Sequence, residues 1–262
     1  YETVTIDATA IGASGDTINI NATAEQDGKL IIKGGDGANT ITISQSANFG
    51  DTITAGAGND TISLAAASHL TKDDTIDGGT GDDTISLAAA GTIVDAAFTG
   101  VTNIKTLTSA SNEEYTGLTL GAEAAEAGIT NIILAGANAA ETVTIGSGFT
   151  NDISIELDED GLGANTITAT AYTKSLTLTG ISTDFQAKLV STGGTGSDTL
   201  KVTSSGADAV LNLDSVTKFE TVSFVDDTDG TAHTFSLTTD SDLVADGGTF
   251  TVDATGLTTD DV

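Results

Sequence analysis

The chain has 262 residues, 38 of them acidic against 8 lysines and no arginine, for a formal charge of −30 at neutral pH. That balance excludes nucleic acid and anionic membrane surfaces, which attract clustered Lys and Arg, and no apolar run reaches the ~18 residues of a membrane-spanning helix. The absence of Cys excludes disulfides and thiolate metal sites, and charge repulsion of this size calls for neutralising divalent cations.

Residues 1–6, YETVTI, read as a strand already under way, comparable with AETVTI at 140–145 and FETVSF at 219–224. They imply a processed protein or a fragment of a longer one. Isoleucines then return at set intervals. Ile32 and Ile41, Ile53 and Ile62, and Ile76 and Ile85 are each nine residues apart. The arcs between these pairs take 12 residues (Ile41 to Ile53) and 14 (Ile62 to Ile76), so a full circuit takes 21–23. A fixed period of this size marks a solenoid. Thr40-Ile41-Thr42-Ile43 and Thr166-Ile167-Thr168 alternate with period two, which puts Ile on a buried face and Thr on an exposed one.

Residues 86–130 are the least regular. The Ala-rich pieces at 87–98 and 121–128 predict a short helix or a bulging loop. Beyond them the strand centres are Val143, Ile155, Ile167, Leu178, Leu189, Leu200, Leu211 and Val222, at gaps of 11 or 12. After Val222 the pattern loosens, as at a cap or an interface. The expectation is a single all-β domain over 1–262: a right-handed parallel β-solenoid, or β-roll, of two-sheet rungs, the sheets packed face to face. Residues 1–92 form regular rungs with acidic, Gly-rich turns, 93–135 irregular rungs with insertions, and 136–262 further rungs with a C-terminal cap or interface. At about 22 residues per circuit the chain makes roughly 12 rungs, about 55 Å long at ~4.8 Å per stacked strand.

The turns carry the chemistry. Gly78-Gly79-Thr80-Gly81-Asp82-Asp83-Thr84-Ile85-Ser86 and Gly193-Gly194-Thr195-Gly196-Ser197-Asp198-Thr199-Leu200-Lys201 share the pattern GGxGxDxUx, where U is a large apolar residue. Residues 34–41 repeat it with Asn39 for the acid, 55–62 lack only the first Gly, and 160–167 depart at Asp160 and Asn165. Asp16, Asp51 and Asp74 keep only the Asp-Thr-Ile ending. Glycines let backbone carbonyls approach an ion closely, an acid supplies charge, and Ca²⁺ takes six to eight such oxygens.

This nonapeptide resembles that of the repeats-in-toxin (RTX) family. The resemblance implies a β-roll with several Ca²⁺ ions held between turns of adjacent rungs. The implied metal positions are Gly34, Asp36 and Asn39; Gly56, Asn59 and Asp60; Asp77, Gly78, Thr80, Asp82 and Asp83; Asp160 and Asn165; Gly193, Thr195 and Asp198. Asp16, Asp51 and Asp74 fall on the longer arcs, hence on the opposite edge. Tandem RTX arrays repeat every nine residues on both sides, whereas this chain does so on one side only.

Asp158-Glu159-Asp160 divides between a calcium site and a solvated loop, Asp226-Asp227-Thr228-Asp229-Gly230 favours a solvated loop, and Glu113-Glu114 favours exposed surface. The sequence lacks HExxH, GxSxG and Walker A patterns. His69 and His233 read as ordinary residues of surface arcs, and with 3 Tyr, 8 Phe and no Trp the sugar platforms of a carboxylate glycosidase are missing. The chain is therefore expected not to be an enzyme. Segments 98–111 and 213–224 resemble parts of RTX-type bacterial surface-layer proteins. The expected function is a secreted, bacterial, extracellular structural protein whose partner is itself, in a head-to-tail homopolymer or lattice. A cell-surface polysaccharide is a further candidate partner. The alternative is a calcium-binding adhesin or secretion module of a larger exported protein; Thr-x-Thr rows make ice binding an outlying third.

Overall fold

The computed structural model describes residues 2–12, 15–44, 49–109, 115–135, 140–157, 165–185, 189–203, 209–225 and 234–257. Its backbone is an 11-stranded, wholly parallel sheet that begins with Asn19–Asn21, Thr40–Ile43, Thr61–Leu64, Thr84–Leu87 and Thr106–Ser109 and ends at Thr251–Gly256. Thr40 lies opposite Thr61, and Thr61 opposite Thr84. Each circuit therefore returns the same residue type to the same place. Alternating Ile or Leu with Thr or Ser makes this work: in Thr40–Ile43, Thr61–Leu64 and Thr84–Leu87 one face is buried and the other is half-exposed.

The other side of the solenoid corrects the expectation of two facing sheets. Early rungs close against a five-stranded sheet of Thr3–Asp7, Lys29–Lys33, Thr52–Thr54, Thr75–Asp77 and Val101–Thr102. Later rungs close against a different, six-stranded sheet that runs from Gly91–Ile93 to Val216–Thr217. The circuit 84–109 contains a strand of each: it leaves the long sheet at Leu87, passes through Gly91–Ile93 and Val101–Thr102, and re-enters at Thr106. The rung thus has three sides, and the second strand moves from one side to the next. In earlier rungs the unused side is a corner. The 3₁₀ turn Ala67–His69 lies directly under Gly91, where an added Cβ would come within 2.5 Å of the Ala67 Cβ. In later rungs the Ala-rich insertion fills the vacated side as the helix Ala122–Glu126, packed on the 3₁₀ turn Asp95–Phe98. The Asp95 carboxylate accepts from the N–H groups of Gly121 (2.7 Å) and Ala124 (3.0 Å) and so caps that helix.

The six isoleucines of the nine-residue steps are all buried, at 1% exposure or less. Val143 and Ile167 lie in the six-stranded sheet, and Ile155, Leu178, Leu200 and Val222 in the long one. Six of the eight expected strand centres thus fall in the two sheets at half- or full-circuit spacing, as expected; Leu189 lies just ahead of the strand Val190–Thr192, and Leu211 lies in a separate two-stranded sheet of Ala209–Asn212 and Phe235–Thr238. One continuous apolar cluster runs from Ile20 to Leu243, each fully buried aliphatic side chain contributing about 1.5–3 kcal/mol. Among the described residues the long sheet holds 11 strands and the solenoid makes about nine turns, fewer than the expected dozen rungs.

A candidate metal centre in the turn column

Strands Thr40–Ile43, Thr61–Leu64 and Thr84–Leu87 of the long sheet are each entered through a turn, and these turns stack. Residues 34–39, 55–60 and 78–83 form the regular part of the column. Four glycines here adopt positive φ: Gly56 (119°), Gly58 (101°), Gly79 (94°) and Gly81 (140°). Bare backbone is also required by contact. A Cβ on Gly79 would fall 1.8 Å from the Gly56 carbonyl oxygen, one on Gly56 2.2 Å from that of Gly35, and one on Gly81 2.0 Å from that of Gly58. The space between successive turns is thus a cradle of carbonyl oxygens that any side chain would fill.

The acidic position of the motif is the residue just before the strand, and it forms a ladder between rungs. The Asp60 Oδ1 accepts from the backbone N–H of Asn39 (2.6 Å), and the Asp83 Oδ1 accepts from that of Asp60 (2.8 Å). Asn39 donates its amide to the Gly35 and Ala55 carbonyls and to Asp60. One oxygen of each acid is thereby spent on structure. The other is not: Asp60 Oδ2 and Asp83 Oδ2 are buried without a hydrogen-bond partner, as is the Asn39 Oδ1. Three orphaned oxygens in one stack of turns is a costly arrangement unless something electropositive meets them.

Electrostatics point the same way. Burial pushes the Asp60 carboxyl up to about 6, the Asp83 charge adding to the rise. Burial also raises Asp83, with Asp82 and Asp77 adding to the rise and Lys105 opposing it. A cation between the turns removes the penalty that both carboxylates carry when ionised. Among the described residues no three acidic, His or Cys side chains converge on one point. The remaining ligands must therefore be carbonyl and amide oxygens, the set a hard cation such as Ca²⁺ accepts. The residues fit that ion.

The other expected positions sort by their hydrogen bonds. Asp77 Oδ1 accepts from Gly79 N–H (3.0 Å) and the Asn103 amide (2.8 Å), and the Asn59 Oδ1 accepts from Asp82 N–H (3.0 Å). Thr80 bridges backbone to backbone with Ala57. Asp36 and Asp82 are exposed at the lip of the column. Gly34 is buried, its missing Cβ only 1.9 Å from the Ala55 carbonyl oxygen.

Asp16 is corrected. Because Asn19 pairs with Thr40, Asp16 falls opposite Gly37, whose Cβ would meet the Asp16 carbonyl at 1.7 Å. It belongs to the turn that precedes 34–39 in this same column, not to the opposite edge. Its Asp-Thr-Ile letters sit two residues out of phase with those of Asn39. Asp51 and Asp74 do lie on the opposite edge and repeat the ladder there: Asp51 Oδ1 accepts from Leu30 N–H and Asp74 Oδ1 from Asp51 N–H, each at 2.9 Å. Thr71 takes the second oxygen of Asp74, through its N–H (2.8 Å) and hydroxyl (2.9 Å). Asp74 is thus held by protein donors alone.

Asp198, in the second complete motif, lies in the same column several rungs further on. Its Oδ1 accepts from Leu176 N–H (2.9 Å) and its Oδ2 from Gly194 N–H (2.6 Å). The two motifs that fit the pattern at every fixed position therefore differ: one leaves an acid oxygen without a hydrogen-bond partner, the other does not. Gly193 is again bare for contact, 2.0 Å from Cβ to the Lys218 carbonyl oxygen, and Thr195 N–H donates to the Tyr172 carbonyl. Asn165 leads into the six-stranded sheet, off this column, and accepts from Glu141 N–H (3.1 Å). Asp160, with 158–163, Glu113-Glu114, Asp226–Gly230 and His233, lies outside the described residues. His69 is half-buried in its 3₁₀ turn, not on a surface arc, and burial lowers its pKa.

Sequence patterns missed Lys105 and Glu220, which hold the next positions in this column, and Glu141, which shares a separate ladder with Asn165 on the six-stranded sheet. The signal was internal. Residues 101–107, VTNIKTL, and 216–222, VTKFETV, are copies of one turn with Lys105 and Glu220 at the same place, each with a left-handed residue third, Asn103 (φ 57°) and Lys218 (φ 58°).

Residues 47–66 and 70–89 match the family model of the RTX calcium-binding nonapeptide repeat, a model of four copies. These segments contain the second and third turns of the column. Comparison with curated proteins gave no match, and neither did comparison with solved structures.

Proposed function

From a chain that belongs to the RTX calcium-binding β-roll family, we propose an extracellular structural protein: a calcium-stabilised rod that assembles with copies of itself into a surface layer or fibre. RTX repeats occur in secreted bacterial proteins, which supports the extracellular setting. Calcium ions sit in the turn column, where Asp60, Asp83, Asn39 and the carbonyls of Gly35, Gly56 and Gly58 present oxygen.

One observation carries assembly. The long sheet is a parallel stack whose outermost strands, Asn19–Asn21 and Thr251–Gly256, are each paired on one side only among the described residues. A stack of equivalent rungs accepts another rung on its free edge, and a head-to-tail contact that does not close grows a filament. Val252 is half-exposed on that last strand, and Phe235 and Phe250 are only partly buried at the same end. At −30 per chain, copies repel until calcium lowers the charge, so assembly depends on the ion.

Electron microscopy and light scattering of the purified chain test this, at millimolar Ca²⁺ and again with excess chelator. Ordered sheets or fibres with calcium, dispersed by chelator, are expected. A protein that stays monomeric at millimolar Ca²⁺ sinks the structural proposal and favours an adhesin or secretion module.

A further inference from the structure

We infer that Lys105 closes the calcium column: its ammonium stands in for an ion above the third turn. Ions then enter the two gaps between turns 34–39, 55–60 and 78–83, and none enters the gap between 78–83 and 103–105. The inference rests on the calcium-binding turns proposed above.

Register places Lys105 in the ladder. Thr84 lies opposite Thr106, so Lys105 follows Asn39, Asp60 and Asp83 at the residue that precedes each strand. Its backbone N–H donates to the Asp83 carbonyl at 3.0 Å, so this rung sits directly on the third turn. At each step below, a side-chain oxygen accepts the N–H of the rung beneath. A lysine has no acceptor and cannot continue that series. It brings a positive charge instead, and the ammonium ion-pairs with the Asp82 carboxylate. Asn103, two residues earlier, donates its amide to Asp77 (2.8 Å). Two of the third turn's acids are thus met by donors from the rung above, whereas the buried Asp83 Oδ2 has no such partner.

The chain contains its own comparison. In the equivalent turn at 216–222, position 105 is matched by Glu220, and there the ladder continues: the Glu220 Oε2 accepts from Asp198 N–H at 2.8 Å. The two turns share the left-handed third residue, whose carbonyl oxygen lies against the first Gly of the motif below: Asn103 at 2.2 Å from a Cβ on Gly78, and Lys218 at 2.0 Å from one on Gly193. With backbone alike, the side chain at this position decides whether the gap is offered a cation or an acceptor.

The test counts ions. Equilibrium dialysis with Ca²⁺ on the full chain compares the wild type with Lys105→Glu, the residue the second turn already tolerates. Lys105→Glu is expected to bind one more ion per chain. Lys105→Gln, which keeps most of the length and removes the charge, is expected to lower the calcium concentration for half-saturation about threefold, the weight of one half-exposed, solvent-screened charge at ~0.6 kcal/mol. Circular dichroism in calcium confirms that each variant folds. If both folded variants match the wild type in count and affinity, Lys105 does not close the column. If the wild type itself binds no calcium, the calcium proposal fails instead.

Discussion

At the scale of single residues, the acidic position of the motif does two jobs with two oxygens. In Asp60 and Asp83 one oxygen carries the ladder between rungs and needs no metal; the other is buried without a protein partner, where the proposed ion would meet it. Asp60 shows the tension best, because burial lifts its carboxyl to about 6. A folded-state pKa above the unfolded value favours folding fully below the unfolded pKa of about 4, and that contribution is lost as pH rises through about 6. Calcium reverses the sign, since it needs the ionised form. The β circular-dichroism signal of chelated protein should therefore strengthen between pH 7.5 and 5, while the increment that calcium adds should shrink. Asp60→Asn copies the natural Asn39. It keeps an acceptor for the ladder and removes the buried charge, so chelated protein should show more β signal than the chelated wild type and respond less to calcium. A change of even ~1 kcal/mol moves the midpoint of a chain this size by roughly 2–4 °C. An Asp60→Asn protein that responds to calcium like the wild type would show that the orphaned oxygen holds no ion.

At the scale of elements, strands and turns were legible where the sequence is periodic. The nine-residue isoleucine steps and the later half-circuits correspond to strands because a solenoid forces equivalent residues into one buried row. What was hidden depends on contacts between rungs. The three-sided rung could not be read, since a strand on either short side shows the same alternation. The displaced phase of Asp16 was hidden too, because its letters repeat while its register does not. Asp74 and Asp198 looked like ligands by motif, yet backbone and hydroxyl donors from their own or neighbouring turns complete them. The glycines give the sharpest element-level prediction. Gly79→Ala combines positive φ with a Cβ 1.8 Å from a carbonyl oxygen, so it should cost roughly 3 kcal/mol and disturb calcium binding. Gly247→Ala has φ 79° but nothing within 4 Å; it should cost about 1 kcal/mol and leave calcium binding alone. Denaturant melts of both variants in calcium compare the two costs, and equal losses would remove the turn column's special demand for bare backbone.

At the scale of the whole molecule, a charge of −30 and a continuous apolar core oppose each other. Burial holds the rungs together, and uncompensated carboxylates push them apart. On the proposed function, calcium in the turn column settles the contest and makes folding and ion binding one event. The most direct measurement is a far-ultraviolet circular-dichroism titration of the purified chain with Ca²⁺, starting in excess EGTA. The account predicts little β signal below micromolar free calcium and a cooperative rise to the full solenoid spectrum above it. A full β signal in EGTA, unchanged as calcium is added, would contradict it.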